Sequence, residues 1–110
     1  MRSILLFFLL MGEVIVLHAQ YPNLQWVRGM GGAPDDISED IAIDGSGNSY
    51  ITGGFSNSGD FDPGTGVHNL TSNGRSDIFI SKLDANGNFV FAKGIGGVSS
   101  DGAGSIILDN

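Results

Sequence analysis

The sequence predicts an all-β chain assembled from repeated antiparallel sheets. Three observations carry this reading. Gly occurs 18 times in 110 residues, and each Gly inside a helix costs about 0.8–1 kcal/mol, so long helices are disfavoured. Two turns of the form Asp-x-x-Gly-Asn, at 44–48 and 84–88, each lie between apolar segments. Finally, Asn23–Asp44 recurs at Asn88–Asp109, a shift of 65 residues without a gap.

Composition excludes several classes. There is no Cys, which removes disulfides, thiolate metal sites and a Cys nucleophile. Five Lys+Arg against 12 Asp+Glu give a net charge of −7, a poor match for nucleic-acid phosphates or an anionic membrane. Collagen is excluded because Gly does not fall at every third position and only three Pro are present.

The chain opens with Met1-Arg2-Ser3, then the apolar run Ile4–Met11, an interruption at Gly12-Glu13, and Val14–Leu17 before Ala19. A basic start, a short apolar core and a small residue describe a secretory signal peptide over residues 1–19. The run is shorter than the roughly 20 apolar residues that span a bilayer. No Cys follows it for lipid attachment. Cleavage after Ala19 removes Arg2 and Glu13 together, so the charge stays at −7.

Residues 20–37 read as the end of a preceding sheet's strand, Leu24–Arg28, followed by a Gly-rich loop. In the 65-residue register Gly29, Gly31, Gly32, Asp36, Ile41 and Asp44 meet Gly94, Gly96, Gly97, Asp101, Ile106 and Asp109. Trp26 meets Phe91, Arg28 meets Lys93 and Met30 meets Ile95. Residues 38–95 read as one four-stranded unit. Its first hairpin joins Ser38–Ile43 to Ser49–Gly54, and its second joins Asp77–Leu83 to Asn88–Gly94. In both turns Asp accepts nearby backbone N–H groups and Gly supplies a positive φ. Residues 56–76 form a long loop rich in Gly, Asn, Ser and Asp. Residues 96–110 read as the truncated start of the next unit, with a strand over Gly104–Leu108, and the chain is expected to be part of a longer one. The strands are apolar on both faces in places, so each sheet is expected to find its cover in the next copy. This is a β-propeller blade or a related β-repeat. A lone blade, with two bare faces and open edges, is expected to be poorly soluble or oligomeric.

These residues resemble the bacterial β-propeller repeat family known as SBBP. The resemblance rests on Gly31-Gly32 with Asp36, then Ile41-Ala42-Ile43-Asp44, then Gly47-Asn48-Ser49-Tyr50-Ile51-Thr52-Gly53. It continues through Asp77-Ile78-Phe79-Ile80-Ser81-Lys82-Leu83-Asp84 and Gly87-Asn88-Phe89-Val90-Phe91. Phe91 stands where Trp is usual, and Trp26 has it one repeat earlier. The resemblance implies a secreted or cell-surface propeller, grouped with surface-layer glycoprotein-like proteins, and no settled activity.

Motifs that could carry chemistry are few. Gly29-Met-Gly-Gly32 and its counterpart at 94–97 begin like a phosphate loop, but the third Gly is missing and no helical pattern follows, so they read as strand-exit turns. Their 65-residue spacing is also far from the roughly nine-residue period of calcium-binding repeats. Asp84–Asn88 is a hairpin turn rather than half of a calcium loop. Asp60 and Asp62, beside Pro63-Gly64, are the metal candidates, for calcium. Two carboxylates fall short of the roughly six to eight oxygens calcium takes. The competing reading is a solvated acidic loop with Phe61 on a blade edge. His68 reads as solvated, and no second His remains for a zinc site once His18 leaves with the signal. No catalytic or cofactor-binding residue is assigned. The expected function is an exported, non-enzymatic scaffold whose loops bind polysaccharide or a surface protein, with further blades as partners and no transmembrane span. The alternative is a calcium-dependent hydrolase, phosphoesterase-like, whose site is completed by blades outside this sequence.

Overall fold

The computed structural model describes residues 4–9, 12–17, 23–32 and 35–109. Within them the chain is all-β and holds no helix. Strands β1 (Ile4–Leu9) and β2 (Gly12–Leu17) pair antiparallel, with Ile4 opposite Leu17. Arg2, Ala19 and Gln20, on which the expected export signal and its cleavage point depend, lie outside the described residues.

The main sheet has four antiparallel strands in the order β4 (Ile37–Ile43), β5 (Ser49–Phe55), β8 (Asp77–Leu83) and β9 (Phe89–Ile95). This is the four-stranded antiparallel sheet expected from the two hairpins. The two hairpin turns share one hydrogen-bond pattern. Asp44 Oδ1 accepts the N–H groups of Ser46 (2.9 Å) and Asn48 (3.0 Å). Asp84 Oδ1 accepts those of Asn86 and Asn88, both at 2.9 Å. Gly47 and Gly87 adopt φ of 83° and 78°, a region that Gly enters without steric penalty. The local sequence therefore dictates both turns, and the turns fix the register.

Register divides the sheet into two faces. Ser49, Ile51, Gly53 and Phe55 lie opposite Leu83, Ser81, Phe79 and Asp77 on one face. Nearly all of these are buried. The other face carries Tyr50, Thr52, Ile78, Ile80, Lys82, Phe91 and Ile95; Thr52, whose hydroxyl donates to Phe79 O, is buried, and the rest are half-buried or exposed.

The buried face is covered by the chain itself. Residues 56–76 are not an irregular loop throughout: β6 (Ser58–Asp60) and β7 (Asn69–Thr71) pair with each other, and β6 pairs with β3 (Gly31–Gly32). The cover lowers Phe61 onto the sheet between Phe55 and Phe79, with ring centroids 5.4 and 4.8 Å away. Met30 and Leu70 pack around the cluster. The expectation of two bare faces is thus corrected in part: the cover shields this face over β5 and β8, while Ile41 and Ile43 of β4, which lie on the same face, stay 55% and 63% exposed. The expected strand Leu24–Arg28 is also absent. That segment is held by side chains: the Trp26 indole N–H donates to Ala85 O at 3.0 Å, and Arg28 Nε donates to Gly87 O at 3.0 Å. No described strand offers its backbone a ladder. Gly104–Leu108 forms no strand for the same reason, since no described strand pairs with it. The Ile106 N–H ties this segment to the sheet by donating to Asp40 Oδ2 at 2.9 Å.

Candidate functional site

The region 56–76 is built outward from the sheet. Asn57 takes a φ of 59° at the turn out of β5, one of the few non-Gly residue types that tolerate it. Ser58 Oγ and Thr71 Oγ1 share a hydrogen bond of 2.7 Å across β6 and β7. Gly59 lies where Gly31 and Gly32 pass, and a Cβ on it would sit 2.8 Å from Gly31 C and Gly32 N. Close backbone approach is what Gly permits here.

Asp60 and Asp62 act locally. Asp60 Oδ1 accepts the N–H groups of Asp62 (3.0 Å) and His68 (2.9 Å). Asp62 Oδ1 accepts that of Gly64 at 2.8 Å. The two carboxylates thus order the loop around Pro63-Gly64 as Asx turns do. Among the described residues no three His, Asp or Glu side chains gather where a metal ion could be held.

His68 differs from expectation. It is half-buried rather than solvated, since Nε2 lies 2.9 Å from Ala92 O and its ring rests 5.1 Å from that of Phe89. A carbonyl can only accept, so Nε2 carries the proton. The imidazole therefore fastens the cover to β9. The loop's exposed tip is 64–67, where Val67 is 71% exposed.

Beside this cover, a groove of about 580 Å³ runs between Arg28–Met30 and β4. Asp36, Glu39, Asp40 and Phe61 line it. Asp36 uses Oδ2 to accept the N–H of Gly32. Asp101 does the same for Gly97 at 2.8 Å. The Gly-Gly-x-x-x-Asp pattern is therefore one loop built twice, 65 residues apart, by the same bond.

Three turn carboxylates titrate below the ordinary 3.8. Asp44 is lowered first by the Asn48 side-chain amide, Asp60 by the His68 backbone N–H, and Asp84 by that of Asn88. Their folded pKa values lie below the unfolded ones, so in that window the unfolded chain binds more protons. The stability they supply is complete above the unfolded value and is lost as pH falls through the folded values. Urea midpoints are expected to hold steady at neutral pH and fall below about pH 4. Asp84→Asn, which keeps an acceptor oxygen and does not titrate, should make the acid loss shallower. An unchanged profile would show that Asp84 does not contribute.

Searches among curated proteins and among solved structures found no match. Residues 25–62, which run from the Trp26 clasp through the first hairpin to Asp62, match the family model SBBP, described as a beta-propeller repeat.

Proposed function

We propose that this chain is an exported, non-enzymatic β-propeller repeat protein that holds loops on a rigid sheet for binding or surface assembly. The observation that carries the reading is the carboxylate–glycine loop built identically at Asp36–Gly32 and Asp101–Gly97. Chemically identical units at a fixed period are the mark of repeat architectures, in which neighbouring copies share a core. The loop tip at 64–67 is the surface offered. It is carried by Phe61, which is 1% exposed, so its position follows that of the sheet. Polysaccharide or another surface protein is the proposed ligand class.

Titration of the full chain with polysaccharides and with calcium tests this reading. Glycan binding weakened by changes at Thr65 and Val67, with no heat from calcium, is the expected result. Calcium binding coupled to phosphoester cleavage would overturn it. Export rests on residues 1–19, with their basic start and short apolar core. In a bacterial host the exported protein is expected to begin at Gln20 by N-terminal mass analysis. Intact Met1 in protein retained by the cell would sink the export assignment.

A further inference from the structure

The chain carries a template for how one blade seats on another. Trp26, Arg28 and Met30 alternate along one extended segment. Trp26 and Arg28 donate to carbonyls of the 84–88 turn, and Met30 packs on the Phe55–Phe61–Phe79 cluster. The turn accommodates them closely, since a Cβ on Gly87 would sit 2.7 Å from the Trp26 ring. Arg28 also lies near enough to Asp84 to help lower its pKa, a charge match between segment and turn.

In the 65-residue register these three positions become Phe91, Lys93 and Ile95. All three point to the open face of β9, as their pairing with Lys82, Ile80 and Ile78 requires. Lys93 is exposed and Ile95 is 59% exposed. The chemistry is conserved position by position: aromatic, cation, aliphatic.

Resting on the propeller reading above, we infer that the open face of this sheet docks the 84–88 turn and covered face of a second copy of the blade, through Phe91, Lys93 and Ile95. Phe91 takes the place of Trp26 against the turn, Lys93 faces the acceptor copy's Asp84, and Ile95 enters its aromatic cluster. In this chain the equivalent acceptor is filled by Trp26, Arg28 and Met30. The partner is therefore a copy whose own acceptor is vacant, such as one following in the 65-residue register.

The experiment extends the full chain after Asn110 with a second copy of 46–110, which continues the register. The variants Trp26→Phe and Phe91→Trp leave the first copy's Trp at position 91, and the second copy, which has no Trp, adds none. Acrylamide quenching at position 91 is expected to drop from its level in the 110-residue chain to that of Trp26 in the unmodified chain. Lys93→Glu should restore it, because like charges then face each other. If the extended chain melts as one unit but quenching stays high, the docking surface is wrong and the blade reading stands. If the two copies melt independently, the blade reading itself fails. A trans measurement covers poor folding of the extended chain. A peptide of residues 88–98 should bind the Trp26→Ala/Arg28→Ala chain about tenfold more tightly than its Lys93→Glu form does. Equal affinity of the two peptides would overturn the inference.

Discussion

Phe61→Ala is expected to lower stability by about 3–5 kcal/mol, the range for truncating a buried aromatic ring. The ring is 1% exposed and wedged between Phe55 and Phe79, at 0% and 4%. Removing it costs burial, two aromatic contacts and the anchor that holds β6 and β7 over the sheet. Domains of this size are stable by only about 5–15 kcal/mol, so the loss is a large share of the total. Urea unfolding of the purified chain gives the measurement. A hydrophobic dye should also bind the variant more strongly, because the covered face would open. Val67→Ala is the matched control at the loop tip. Val67 is 71% exposed, and the change should stay within about 0.5 kcal/mol. If Phe61→Ala behaved like Val67→Ala, the loop would not be seated on the sheet.

Phe61 also marks where the sequence stops being legible. The hairpins could be read because their causes are local. Asp44 and Asp84 each serve N–H groups two and four residues on, so the motif contains its own partners. The strand pattern was equally open, with β8 alternating buried and half-buried residues along its length. The cover was not. Phe61 was expected at a blade edge, and nothing nearby announces that Phe55 and Phe79 receive it. The strands that carry it over the sheet, β6 and β7, are too short to show periodicity. His68 was hidden for the same reason, since its partner Ala92 O is 24 residues away. Asp60 and Asp62 were partly legible. Their two-residue reach to Asp62 and Gly64 is the ordinary Asx-turn signature, while the eight-residue reach of Asp60 to the His68 N–H carries no local signal. Leu24–Arg28 shows the converse: it has the composition of a strand, but strand pairing is a long-range event that needs a neighbour. The repeat was the most informative signal, since it was visible in sequence and the bonds of Asp36 and Asp101 give its physical meaning.

Gly53 and Gly54 are adjacent in β5, and opposite outcomes are expected from replacing them with Ala. Gly53 is buried and pairs with Ser38 on one side and Phe79 on the other. A Cβ there would strike the Ile37 carbonyl oxygen and lie 2.9 Å from Phe79 Cε1. The obstruction includes backbone, so no rotamer change relieves it, and β4 must move away. Overpacking of this kind costs about 1–3 kcal/mol, and the shift of β4 should also weaken binding of the Ile106 N–H by Asp40. At Gly54 the nearest atom is Asp77 O at 3.9 Å, an ordinary contact distance. Ala fits there, and removing a strand Gly should add about 0.5–1 kcal/mol. Neither position has a positive φ, so space alone separates them. Paired urea melts decide the matter. Equal losses in both variants would mean that the requirement lies in the backbone conformation of the Gly-Gly pair. A loss confined to Gly53 would place β4 against β5 at the spacing described, with the first Gly of Thr52-Gly53-Gly54 as the residue that lets the two strands and Phe79 meet.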